Sequence, residues 1–245
     1  MTPSAPSTQR VVTADQLADL PEAAQRYLNY TGVVGQPWID TVRINYAGRF
    51  RLALDKPWLP MKAEQVYMTN PPAFHWKARL KMSGLWLVRG SDTYRHGHGH
   101  MFGKIAGLFT IFDARGDELD QGAMLRYLNE TTWFPSALLN DYITWQAVDE
   151  EAFDVTFTDC GRSVTARLFI APDGRLINFS AMRYRENKGQ YTYDRWETPM
   201  TDWGRLAGLN LPIRGQGVWK LPDGDLPYID LAVTRIEYNV PIEPI

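Results

Sequence analysis

The stretch FHWKARLKM, Phe74–Met82, alternates apolar and polar residues almost without interruption. Phe74, Trp76, Ala78, Leu80 and Met82 hold one parity; His75, Lys77, Arg79 and Lys81 hold the other. Successive side chains of a strand point to opposite faces. The pattern therefore predicts an antiparallel strand with one face on a core and one in water. His75, on the charged side, is expected to be exposed. The same period runs outward in both directions. AEQVYMT and TVRINYAGRFRLAL precede this stretch, and LWLVRGSDTYRHG and GLFTIFDARG follow it. After residue 142 come ITWQAVD, AFDVTFTD, SVTARLFI, LINFSAMRYRE, YTYDRWETPM, LPIRGQGVWKL and IDLAVTRIEYN. Asn-Pro-Pro, Ser-Gly, Cys-Gly, Asn-Lys-Gly and Pro-Asp-Gly turns separate them. Eleven or twelve strands at short, even spacing indicate a sandwich or barrel-like antiparallel sheet.

Two segments break the period. TADQLADLPEAAQRYLNYTG reads as helix, with Thr13 as N-cap, Pro21 opening a second helix and Gly32 as the stop. GDELDQGAMLRYLNETTWFPSALLND reads as a central helical insert. Asp120 is its expected cap, Thr131 its end, and a short second helix starts at Pro135. Residues 1–12 are rich in Ser, Thr and Pro and are expected to form a disordered tail. Residues 13–245 then read as a single domain, with no linker or repeat in mid-chain.

The chain has 245 residues, 44% of them hydrophobic, enough for a sizeable core. A net charge of −2 and a pI near 6.1 provide no overall footprint for nucleic acid or an acidic membrane. No segment approaches the length of a membrane span. The single Cys160 fits a reducing compartment, and MTPSAPSTQR has no apolar run, so a cytoplasmic location is expected. Nothing near Cys160 supplies a base to activate it. The aromatic content of 13%, with nine Trp, fits broad sheet faces or an apolar cavity.

RYLNYTGVVGQP, KPWLPMKAEQ, DARGDELDQGAMLRYLNETTWFPSALL and WKLPDGDLPYI resemble a large family of uncharacterised bacterial proteins that carry a domain of unknown function. The likeness covers roughly residues 20–240, and the run from LDQG to WFPSALL is its most specific part. It implies no particular reaction. The architecture it implies is similar to the lipoprotein-carrier (LolA-like) class: a strongly curved antiparallel sheet, nearly a barrel, with helices plugging the concave side. The expected fold is therefore mainly β, a single curved sheet or half-barrel with an N-terminal helix and a central helical plug.

Chemistry is less legible. Arg126 and Glu130 stand four apart, on one helix face, as an ion pair. With Asp120 they are the candidate catalytic residues: a carboxylate desolvated beside a pocket can act as acid or base. The bland reading is a structural pair and an N-cap. Trp133, Phe134, Tyr127 and Tyr228 are candidate pocket residues. Asp225, just past the Asp223-Gly224 turn, is a candidate second carboxylate or simple turn chemistry. In HGHGH, His96, His98 and His100 could present three imidazoles on one strand face, a weak alternative as a zinc site. The intervening Gly97 and Gly99 instead suggest a bent strand or a close backbone approach. Asp113, Arg115, Asp117 and Glu118 lack the spacing of a calcium loop. There is no nucleophile elbow, Walker loop, dinucleotide fingerprint or Cys-x-x-Cys, and no cofactor is expected. Together these features point to binding of an apolar or amphipathic small molecule on a concave sheet face. The alternative is a hydrolase, isomerase or cyclase in the same place.

Overall fold

The computed structural model describes residues 10–187, 189–243 and 245. Period two governs it as expected. The first run of strands is β1 (Thr41–Phe50), β2 (Leu59–Thr69), β3 (Pro72–Met82), β4 (Leu85–Arg95), β5 (His98–Ile105) and β6 (Phe109–Ala114). The second is β7 (Ile143–Ala147), β8 (Ala152–Asp159), β9 (Arg162–Ile170), β10 (Leu176–Asn187), β11 (Gln190–Glu197), β12 (Met200–Leu206), β13 (Leu209–Leu221) and β14 (Gly224–Tyr238). All join one antiparallel sheet in the order β6-β5-β4-β3-β2-β1-β14-β13-β11-β10-β9-β8-β7, with β12 beside β13. In β3 the expected parity holds: Phe74, Ala78 and Leu80 are buried. His75 is half-buried rather than exposed, because its Nε2 lies 3.0 Å from Ser91 Oγ on β4.

Two strands exceed the sequence expectation. The run from LWLV to HGHGH is not one bent strand. The chain reverses at His96 and Gly97 (φ 51° and 78°), and HGHMFGKI returns as β5. A two-residue turn with positive φ at both positions matches the twist of a hairpin, and it removes His96 from the strand face. β12 was hidden by its irregular alternation. It pairs with the first half of β13, while β11 pairs with the second half.

The sheet curls by its own twist. Nine strand steps separate β4 from β8, and at ~20–25° per step the directions rotate by about half a turn. The two ends of the sheet consequently face each other. Tyr94 on β4 donates its hydroxyl to Asp159 Oδ2 on β8 at 2.5 Å. A Cβ on Gly97 would lie 2.8 Å from Cys160 Cβ.

The concave side receives α2 (Asp117–Glu130), followed by short 3-10 turns at Thr131–Trp133 and Pro135–Leu139. Both broad sides of α2 pack on strands, β3–β5 on one side and β9–β10 on the other, so the helix needs no polar face. Asp120 is not the cap: Gly116 holds that position at φ 132°, and Asp120 lies in the first turn. Phe and Tyr rings on and around α2 build a continuous cluster of tilted rings. Tyr67–Phe134 centroids are 4.7 Å apart, Tyr127–Phe157 5.2 Å and Tyr94–Tyr127 6.2 Å. Helix α1 (Glu22–Thr31) starts after Pro21 and stops at Gly32 in the left-handed region (φ 73°), as the sequence predicts.

Of the expected tail, residues 1–9 lie outside the described residues. Val12 is buried, and its amide donates to Gln36 O at 2.9 Å. Among the described residues no helix is long and apolar enough to cross a membrane.

Candidate functional site on the concave face

Helix α2 carries Arg126 into the middle of the concave face. Its Nε donates to Glu130 Oε1 at 3.0 Å, its Nη2 to Gln65 Oε1 at 2.9 Å, and its Nη1 pairs with Asp92 Oδ2. Gln65 Nε2 closes the ring by donating to Glu130 Oε2 at 2.7 Å. The guanidinium also lies over Phe74 and Trp76, at 5.0 and 4.9 Å from the ring centroids. One cation thus serves two carboxylates. Burial pushes the Asp92 and Glu130 pKa values up, against the opposing pull of Arg126. Burial alone would favour neutral Arg126, but Glu130 and Asp92 outweigh it and hold the cation charged.

One atom in this ring is unmatched. Among the described residues Asp92 Oδ1 is buried and has no hydrogen-bond partner. Across the concave face, Arg183 on β10 contributes favourable charge to Asp92, and its Nε is likewise buried and without a partner among the described residues. The Arg183 guanidinium stacks on Trp196 at 4.5 Å and faces Trp219 at 5.7 Å. Gly122 of α2 leaves room for it, since a Cβ there would lie 3.2 Å from Arg183 Nε.

Below the cluster, α2 and the turns after it fill the concave side. Above it, the inner face is apolar and, apart from the buried Leu80, half-exposed. Phe50 pairs with Leu59 and Ile229, Gly48 with Leu231, and Leu80 with Val88. Tyr228 completes this surface, stacked 6.1 Å from Trp219 and accepting from Trp196 Nε1 at 3.2 Å.

The residues expected from sequence are thus brought together only in part. Arg126, Glu130 and Tyr228 belong to the concave face. Trp133, Phe134 and Tyr127 are core: all three are buried, with Trp133 Nε1 donating to Pro212 O and Tyr127 OH to Met68 O. Asp225 does not oppose Glu130; it is exposed at the β13–β14 turn and paired with Lys220. Asp120 is ten residues before Glu130, about 15 Å along the helix. It accepts from Gly99 N at 2.7 Å and Arg162 Nη1 at 2.5 Å, and meets His98 Nδ1 at 3.0 Å. Partial burial raises its pKa, but these three partners together hold it below the usual carboxylate value. His100 pairs instead with Asp113 at 2.7 Å. The three imidazoles therefore diverge, and among the described residues no group of three or more His, Cys, Asp or Glu is placed to hold a metal.

Asp92, Gln65 and Arg183 are the residues that sequence patterning passed over. A signal existed. Each stands on the inward parity of its strand, where Val88, Tyr94, Ala63, Tyr67 and Ala181 are apolar. A pocket of about 470 Å³ lies on the opposite, outer face, where Asp230 accepts from Arg49 and Arg214 beside Trp58.

The geometry defines a curved antiparallel half-barrel closed on one side by a helical plug. The chain belongs to DUF6544, a family of unknown function, whose model matches residues 10–231. Two solved structures are similar in fold. One is a domain described as an outer membrane lipoprotein-sorting protein, from Vibrio parahaemolyticus. It is 8% identical, with 91% of this chain and 93% of that one covered and a TM-score of 0.49. The other is a LolA superfamily protein from Nitrosomonas europaea. It is 12% identical, with 94% and 96% covered and a TM-score of 0.47. No curated protein matches the chain.

Proposed function

We propose that the protein binds an amphipathic small molecule on the concave face. The apolar part lies against Phe50, Val88, Tyr228, Ile229 and Leu231, and the polar end reaches Asp92 and Arg183. The observation that carries this reading is the unpartnered Asp92 Oδ1. A buried carboxylate oxygen without a donor costs stability, and a ligand hydroxyl, amide or ammonium supplies that donor. The half-exposed apolar surface beside it supplies the area that holds a small molecule. Glu130, by contrast, has both oxygens occupied by Arg126 and Gln65 and serves to hold the cation in place.

An enzyme is the second reading, favoured by the upward shift of Asp92, which suits a general acid or base. One experiment addresses both. The protein is purified from its native host under mild conditions and its bound small molecules are identified by native mass spectrometry and extraction. The same is done with Asp92→Asn. A molecule retained by wild type and lost or weakened about tenfold in the variant supports binding. A molecule that accumulates only on Asp92→Asn and is converted by wild type supports catalysis. No bound molecule in either protein, and no change in unfolding midpoint on adding fatty acids or lipid alcohols, removes the proposal.

A further inference from the structure

The overall charge of −2 conceals a local asymmetry. In the observed register Lys62 lies opposite Arg79, Arg79 opposite Arg89, and Arg89 opposite Lys104. Four cations thus form one unbroken row across β2, β3, β4 and β5 on the outer face. Directly opposed like charges destabilise a sheet. None of the four forms an ion pair among the described residues.

The same end of the sheet carries a second anomaly. Consecutive antiparallel strands place the β1–β2, β3–β4 and β5–β6 connections on one side, successive turns about 10 Å apart. Leu52 and Leu54 stand on the first, Leu85 and Trp86 open β4 just after the second, and Leu108 stands on the third, followed by Phe109, Ile111 and Phe112 on β6. All eight are exposed, Leu52 at 76% and Leu108 at 78%. Single exposed apolar residues are ordinary, but eight large ones on three neighbouring turns and the strand residues beside them form a patch. Arg51, Lys56 and Lys81 add cations here. The one carboxylate on these turns, Asp55, is matched by Lys56 at 3.1 Å. Trp86 joins the two features, with Lys62 Nζ 5.8 Å from its ring centroid.

We infer that this end of the half-barrel docks on an anionic lipid surface. The leucines and aromatic rings of the turns enter the boundary between headgroups and acyl chains. The cationic row, a few residues further up the strands, lies among the headgroups. Shallow apolar insertion combined with attraction of Lys and Arg to anionic lipid is the balance by which proteins bind a bilayer without spanning it. Lipid phosphates also supply the counter-charge that the row lacks among the described residues. This docking goes beyond the small-molecule reading and requires no occupant of the concave face.

The test is co-sedimentation with vesicles of phosphatidylcholine alone and of phosphatidylcholine with 30% phosphatidylglycerol, at low and physiological salt. Wild type is expected to bind the anionic vesicles at least tenfold more tightly than the neutral ones, with binding falling as salt rises. Arg79→Glu places a carboxylate between Lys62 and Arg89. It is expected to hold or raise the unfolding midpoint while cutting vesicle binding about tenfold. Leu108→Ser with Phe109→Ser is expected to cut binding while the protein remains monomeric by light scattering. Equal binding to both vesicle types, no binding to either, or unchanged binding by Arg79→Glu overturns the inference. So does a concentration-dependent dimer of wild type that the Leu108/Phe109 variant abolishes, because the patch is then an interface between copies of the chain.

Discussion

Single residues separate what holds the molecule together from what is left for chemistry. Asp120 is the clearest case of the first kind: an amide, a guanidinium and an imidazole converge on one carboxylate and join α2 to β5 and β9. Asp120→Asn is expected to lower stability by about 1–3 kcal/mol at pH 7, measured by urea unfolding. The sign of its pH dependence follows from the lowered pKa of the folded state. The stabilisation is present above the unfolded value near 3.9 and is lost as pH falls through the folded value. The wild-type and variant curves should therefore converge as pH falls below that folded value. Gly99 gives a steric counterpart. A Cβ there would sit 2.9 Å from both Ala123 Cβ and Leu119 O, so Gly99→Ala is expected to cost about 1–3 kcal/mol in the same assay. The glycines of HGHGH thus serve a hairpin turn and a helix contact, and the histidines between them point apart.

At the scale of elements, α2 determines where polar groups can be buried. It packs along both sides, so Arg126 can only be accommodated by carboxylates and an amide that meet it inside. Arg126→Met removes the cation shared by Asp92 and Glu130 and is expected to cost about 3–5 kcal/mol at pH 8. Both carboxylates then titrate still further above their unfolded values. Their contribution to stability is retained below the unfolded value and lost as pH rises through the folded one. The variant should consequently recover part of its stability at pH 5, which thermal unfolding at the two pH values will show. The helix boundaries were legible to within a turn. The cap was not: Asp120 suits that role chemically, but Gly116 alone tolerates the backbone angle that ends β6 and starts α2.

For the whole molecule the governing quantity is accumulated twist. It brings β4 to β8, and the Tyr94–Asp159 hydrogen bond closes the half-barrel at that end. Tyr94→Phe is expected to cost about 1.5–3 kcal/mol, since the acceptor is a carboxylate, and to speed amide exchange in β5 and β8 more than in β1 and β2. Hydrogen exchange with mass spectrometry checks both halves of that statement.

The sequence by itself determined most of the strands, though not β5 or β12, together with the helical insert and the burial parity of β3, because these depend on periods of two and 3.6 that local residues carry. It also identified the Arg126–Glu130 pair, whose members stand four apart on one helix. Only the tertiary structure decided that Asp92, Gln65 and Arg183 join this pair, that Asp120 and Asp225 do not, and that Lys62, Arg79, Arg89 and Lys104 form one row. These groupings depend on strand register and on twist summed across the sheet. Such long-range quantities arise when distant segments pack, and no local pattern encodes them.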